Sequence, residues 1–298
     1  MKTILIAFFT NLLIALSKFI GFIFTKSASM LSESIHSLAD CVNQILLLVG
    51  YFRSNKKSDT TFNFGYGKEE FLWSFLVAII LFSLGSVLSI YEGIKHVINP
   101  EKLEHLPVIL IILFVGIILE GNSLYYAFKE INVERSKNKL GLIKHIRKSS
   151  NASNLVVLIE DSAAIAGLVG SFVFILLAYF VNPIFDGIGA IFTGLILGVL
   201  SGFLAIELAQ LIKGESLSAK ETFILKTLIL KEKFVENVNY IRSMIIGNDK
   251  YIIIVSVDPF NSDNGYEIEE ISSKIKQIVR EKYNESDIFV DFSSYKNK

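Results

Sequence analysis

His36 and Asp40 stand four residues apart in the run Ser32-Glu33-Ser34-Ile35-His36-Ser37-Leu38-Ala39-Asp40. Side chains four apart share one face of a helix, about 6 Å apart along its axis. Glu33 joins that face at one end, and Asn43 and Gln44 continue it at the other. A second acidic pair, Glu160-Asp161, interrupts an otherwise apolar run. Imidazole nitrogen and carboxylate oxygen are ligands for a divalent cation such as Zn²⁺, usually in a four-coordinate shell. The ion's charge offsets the cost of holding carboxylates in a low-dielectric place. The same groups also take protons, histidine near neutrality. Metal and protons then compete for one site, which is the minimal chemistry of an exchanger. A structural hydrogen-bonded pair between helices is the plainer reading of His36 and Asp40 taken alone; the second acidic run argues against it.

Adjacent helical residues point about 100° apart, so Glu160 and Asp161 cannot both face one spot. Asp161 shares a face with Val157 and Asn154. One carboxylate is expected to face the site and the other a neighbouring helix. Glu120 also lies inside an apolar run and reads as a proton-path residue or an interhelical partner. Glu92, near the outer end of its run, can reach water; Glu207 reads as structural.

The elements that would position these groups are transmembrane helices. The chain has 298 residues, is 52% hydrophobic and 19% charged, and carries 29 basic against 29 acidic residues. A soluble domain has about 25% charged residues. The composition argues against disorder, a coiled coil, a disulfide scaffold and nucleic-acid binding through bulk positive charge. Cys41, the one cysteine, excludes an intrachain disulfide and any multi-cysteine metal site. Residues 1–213 hold 17 basic and 15 acidic residues, whereas the 85 residues 214–298 hold 12 and 14, about twice the charge density. Charge-free runs near the 20 residues a bilayer requires predict six spans, at 3–25, 29–52, 70–97, 106–129, 153–181 and 184–212. The first run passes Lys18 without a small-x-small cleavage site, so it reads as a span rather than a signal peptide.

Orientation follows from the basic residues. The second-to-third and fourth-to-fifth connections hold eleven Lys and Arg, and the alternate loops hold three. Both termini are therefore expected in the cytoplasm, and the membrane is the plasma membrane if the source is prokaryotic. The basic connection 129–148 reads as that same signal, and Asn151-Ala152-Ser153, a glycosylation triplet, is discounted as cytoplasmic. Ala190, Gly194, Gly198 and Gly202, and likewise Ala163, Gly167 and Ser171, recur every four residues and predict close helix packing inside one subunit.

The tail reads as a small cytoplasmic α+β domain. A helix at 219–231 precedes strands at 239–246 and 251–257 around the turn Gly247-Asn248-Asp249. A helix at 268–283 and a strand at 288–292 complete helix–strand–strand–helix–strand. The fold class is thus an α-helical membrane protein of six transmembrane helices, 1–213, followed by an α+β domain, 214–298.

These residues resemble the cation diffusion facilitators. The run 32–40 with Asn43-Gln44 is similar to that family's second-helix motif. Phe64-Gly65-Tyr66-Gly67-Lys68-Glu69, Tyr91-Glu92-Gly93, Val157–Ala164 and Gly214-Glu215-Ser216 extend the resemblance over the whole chain, toward the branch with the mitochondrial-type zinc transporters and their prokaryotic relatives. The resemblance implies a six-helix exporter that exchanges Zn²⁺ or a similar ion for protons by alternating access, usually as a homodimer with a ferredoxin-like tail. It implies no resident cofactor, the metal being substrate. The family's site takes two ligands four apart on helix two and two four apart on helix five. Here the helix-two positions match His36 and Asp40, and the helix-five positions match Val157 and Asp161; valine cannot ligate. The expected metal ligands are His36, Asp40 and Asp161, with Glu160, Asn154, Glu33 and Glu120 as further candidates for metal or proton handling. An oxygen-richer shell would admit Mn²⁺, Fe²⁺ or Co²⁺ more readily.

In that family the tail often binds regulatory metal through His and Cys. Residues 146–298 contain neither, so no high-affinity zinc sensor is expected. Asp258, Asp263 and Asp291 read as solvated acids. An intramembrane metallohydrolase would need a general base and a substrate cleft, and the chain has no His-Glu-x-x-His pair. A metal-sensing scaffold acting through the tail is disfavoured by the same missing His and Cys. Transport, rather than an enzymatic reaction, is the expectation.

Overall fold

The computed structural model describes the backbone of residues 2–103, 105–138, 152–259 and 265–293. Side chains at 2–10, 127, 130–138, 152–155 and 265–266 fall outside that description, as do Asp263, residue 151 of the glycosylation triplet and positions 139–148 of the basic connection. The chain divides into two compact units, Met1–Phe52 with Leu72–Leu208, and Arg53–Phe71 with Ala209–Lys298.

Among the described residues the first unit draws on six helices: α1 Lys2–Thr25, α2 Ala28–Ser54, α3 Glu69–Ile98, α4 Leu106–Asn138, α5 Ala152–Phe180 and α6 Ile184–Lys213. Five of them contain stretches long and apolar enough to cross a bilayer, and the described side chains of the first form a shorter apolar helix, Asn11–Thr25. The chain is a multi-pass integral membrane protein. Its α2 shows why. Leu38, Val42 and Ile45 are exposed, while Glu33, His36, Ser37, Asp40 and Asn43 are buried. Apolar outside and polar inside inverts the order of a water-soluble helix, and it is the stable order when hydrocarbon surrounds the bundle.

Close packing of α3 on α6 rests on small residues. A Cβ on Gly93 would lie 2.7 Å from the Gly187 carbonyl oxygen, and a Cβ on Gly187 equally close to that of Gly93. Gly194 and Gly198 receive Ser86 of α3 in the same way, whereas nothing lies within 4 Å of Gly202. Ser86 sits in a π-helical segment, Leu81–Val87, where the wider turn interrupts the regular pitch of α3.

The start of α2 is fixed from a distance. Ser27 Oγ accepts the Met30 amide, a serine N-cap. Asp186, fully buried ahead of the α6 body, accepts hydrogen bonds from Ser27 Oγ at 2.7 Å and from the amides of Ala28 and Ser29 at 2.6 and 3.1 Å. Its charge meets the positive end of the helix dipole.

In the second unit, α7 (Ala219–Ile229) opens on a capping box between Ser218 and Glu221. It leads to β1 (Val235–Gly247), β2 (Lys250–Pro259), α8 (Gly265–Arg280) and β3 (Asp287–Phe292). The sheet runs β1-β2-β3, antiparallel then parallel, so α8 is the crossover from β2 to β3. Leu225 and Ile229 of α7 and Ile271, Ile275 and Val279 of α8 cover Val238, Ile253, Val255 and Val257. Each such side chain contributes roughly 1.5–3 kcal/mol of transfer free energy on burial.

The Phe-Gly-Tyr-Gly segment orders the connection between α2 and α3. Tyr66 Oη donates to Asp59 Oδ2 at 2.6 Å, and Asp59 Oδ1 accepts the amides of Thr61 and Phe62 at 2.9 Å each. The Tyr66 hydroxyl, those amides and Lys56 hold Asp59 at about 2, below its ordinary 3.8. Gly65 has φ 80°, and a Cβ at Gly67 would collide with the Ile246 carbonyl oxygen.

Candidate metal centre

His36 and Asp40 lie on successive turns of α2, and their helical spacing brings His36 Nδ1 to 3.7 Å from Asp40 Oδ1. That is too long for a hydrogen bond. Both His36 nitrogens, Asp40 Oδ1, Asn43 Oδ1 and Gln44 Oε1 are buried without a hydrogen-bond partner among the described residues. Buried polar atoms are almost always paired, so a stripe of unpaired acceptors on one helix face marks a place suited to a cation.

On α5, Glu160 turns to α2. Its Oε1 accepts from Asn43 Nδ2 at 3.1 Å, and its carboxyl lies within interaction range of that of Asp40. Asp161, one residue on, turns to α4 and accepts from Ser123 Oγ at 2.8 Å. The two acids thus meet different neighbouring helices, Glu160 against α2 and Asp161 against α4. Val157 is half-buried on α5 and offers no donor atom. Asn154 lies in the first turn of α5, and its side chain is outside the description. Glu120 of α4 is half-buried and within electrostatic range of His36, Asp40, Glu160 and Asp161.

Glu33 has a different partner. Its Oε2 lies 3.3 Å from Lys18 Nζ of α1, and its Oε1 accepts from Ser171 Oγ of α5 at 3.2 Å. Glu33 precedes His36 by three residues, which turns it about 60° around the helix, enough to meet a different neighbour. Glu92 pairs with Lys95 at the end of α3, and Glu207 is buried near the end of α6. Among the described residues no three His, Cys, Asp or Glu side chains are close enough together to hold a metal ion. The contacts are pairwise, His36 with Asp40 and Asp40 with Glu160.

Spacing places Asn43 on the ligand face but does not reveal its bond to Glu160. Ser123 and Lys18 carry no sequence signal for their partners, since each meets a different helix from its own.

Residues 4–212 match the family described as the cation efflux transmembrane domain. The chain is 30% identical over 258 residues to the mitochondrial proton-coupled zinc antiporter of Mus musculus, covering 86% of this chain and 46% of that protein. It is 25% identical to metal tolerance protein C4 of Arabidopsis thaliana, covering 86% and 56%. It is 26% identical to the magnetosome protein MamB of Magnetospira sp. (strain QH-2), covering 83% and 79%. The chain thus spans about half the length of the first two relatives.

Proposed function

The chain belongs to the cation efflux family, and from that premise we propose that it exports a divalent metal ion, Zn²⁺ first, in exchange for protons by alternating access. The proposed ligands are His36 and Asp40 of α2 and Asp161 of α5, with Glu160 as the acid that meets Asp40 and Glu120 as a neighbouring charge. The proposed assembly is a homodimer with both termini in the cytoplasm.

The observation that carries the reading is the face of α2 on which His36, Asp40 and Asn43 hold buried polar atoms without partners among the described residues, with Glu160 of α5 held against it by Asn43. Two carboxyl groups brought together away from water favour holding a proton, because like charges there repel. A divalent ion that takes Asp40 as ligand displaces that proton, because a ligating carboxylate must be ionised. The imidazole of His36 is then available to the metal through a nitrogen that has no other partner. Release of the ion reverses the exchange when protons arrive from the opposite face. Ser123 engages only Oδ2 of Asp161, so Oδ1 remains to join the shell, and the pairwise contacts become a cluster as metal enters. The proton-coupled zinc antiporter among the relatives supports this chemistry.

The donor set contains no thiolate and is rich in oxygen, which favours a second reading in which Mn²⁺, Fe²⁺ or Co²⁺ is also carried. A competition assay in proteoliposomes tests the choice. Zn²⁺ uptake under a fixed pH gradient is measured with each rival ion in turn. Displacement by none of them assigns Zn²⁺; displacement by Mn²⁺ at equal concentration assigns the broader substrate range.

A further inference from the structure

Lys18 is fully buried on α1, in line with Ala15, Gly21 and Thr25 on the inward face of that helix. Its Nζ donates to Ser37 Oγ at 2.8 Å and reaches Glu33 Oε2 at 3.3 Å. Glu33 Oε1 accepts from Ser171 Oγ, which lies 3.3 Å from Thr193 Oγ1 of α6. A Cβ at Gly167 would stand 3.3 Å from Glu33 Oε1, so the glycine makes room for the carboxylate. One ammonium group thereby ties α1 to α2, and through Glu33 to α5 and α6.

A buried ion pair adds little net stability, because desolvation of both charges offsets their attraction. Charges at lipid depth are nonetheless expensive and commonly functional. The geometry supplies a role. Glu33 and Ser37 form one stripe on α2, and His36 and Asp40 form another about 60° away around the helix. Lys18 grips two successive turns of the first stripe, and His36 lies between the two anchors. Both oxygens of Glu33 are engaged, which keeps that acid off the ligand face. Lys18 also lies within electrostatic range of His36 and Asp40.

We propose that Lys18 is a positioning residue for the metal site: it fixes the rotation of α2 that aims His36 and Asp40 at α5. The role deepens the transport reading and rests on it.

The full chain in detergent tests this, with Zn²⁺ as the probe. Lys18→Met alone leaves Glu33 charged, buried and unpaired, which is strongly destabilising. The informative variant is Lys18→Met with Glu33→Gln, which removes both charges. Three quantities are read: Zn²⁺ affinity by calorimetry, thermal unfolding, and alkylation of Cys41 by N-ethylmaleimide. Cys41 continues the Glu33–Ser37 stripe and is buried, so its modification reports rotation of α2. The expected result is a folded double variant with Zn²⁺ affinity about tenfold weaker, the scale of losing a supporting contact, and with faster Cys41 alkylation. Ser37→Ala, which keeps the ion pair and loses one anchor, is expected to move affinity and alkylation in the same directions by less. Wild-type affinity and Cys41 protection in whichever of these variants folds overturns the role. If the wild-type chain binds no Zn²⁺, the metal reading fails, and Cys41 protection still decides whether Lys18 holds α2.

Discussion

Asn43 donates from Nδ2 to Glu160 Oε1 across 3.1 Å, joining α2 to α5 at the level of the candidate ligands. The bond leaves Asn43 Oδ1 without a partner, next to Asp40 Oδ1 and the His36 nitrogens in the same condition. Asn43 therefore does two things: it orients the acid that meets Asp40, and it presents an oxygen to the same space. Asn43→Ala removes both. Zn²⁺ affinity is expected to fall about tenfold with the helical content intact, as for other supporting contacts at metal sites. Calorimetry and far-UV circular dichroism on the same sample check it; unchanged affinity would show that Asn43 only packs.

Val157 stands four residues before Asp161, where a ligand would share the Asp161 face. Val157→His places an imidazole there. Imidazole suits Zn²⁺ better than Mn²⁺, so the variant is expected to raise Zn²⁺ transport relative to Mn²⁺. The ratio of the two initial rates in proteoliposomes measures this. A ratio equal to that of the unaltered chain would place position 157 away from the ion's path.

Asp186 caps α2 from 158 residues further along the chain, and Asp186→Ala strips its charge from the helix N-terminus and leaves the Ala28 and Ser29 amides without their acceptor. Loss of a helix cap and of a favourable dipole interaction together cost on the order of 2 kcal/mol. Thermal unfolding in detergent is expected to shift down accordingly. The start of α2 is expected to fray, with amide exchange fastest at Ala28 through Met30.

Asp59 gives the connection between α2 and α3 a pH dependence. Its carboxyl is held at about 2, against 3.8 ordinarily, by the Tyr66 hydroxyl first and then by backbone amides and Lys56. A depressed value means that the ionised form stabilises the loop. That contribution is complete above pH 3.8 and disappears as the pH falls through about 2. Amide exchange at Thr61 and Phe62 is expected to accelerate over that window. In Asp59→Asn exchange should already be faster at neutral pH and flat across the window.

The six helices were legible because apolar runs near 20 residues have few other uses, and the tail because β2 is so rich in isoleucine and valine. His36 and Asp40 were legible as a pair because spacing alone places residues four apart on one helix face. Glu33 shows where spacing stops. Three residues from His36 it looks like part of the same stripe, yet a 60° turn hands it to Lys18, and Lys18 in the sequence only interrupts an apolar run. The neighbours of Glu160 and Asp161 were hidden for the same reason: adjacent residues on α5 face different helices, and only packing shows that Glu160 meets α2 and Asp161 meets α4. The Asp186 cap depends on a contact between helices far apart in the chain, which no local pattern encodes.

The most direct test of the exchange is Zn²⁺ flux in proteoliposomes under an imposed pH gradient, compared among the unaltered chain, Asp40→Ala and Asp161→Ala. The account predicts flux that follows the proton gradient in the unaltered chain, collapses when the gradient is dissipated, and is absent in both variants at equal reconstitution. Normal flux in either variant would contradict the proposed site, and flux indifferent to the gradient would contradict the exchange of metal for protons.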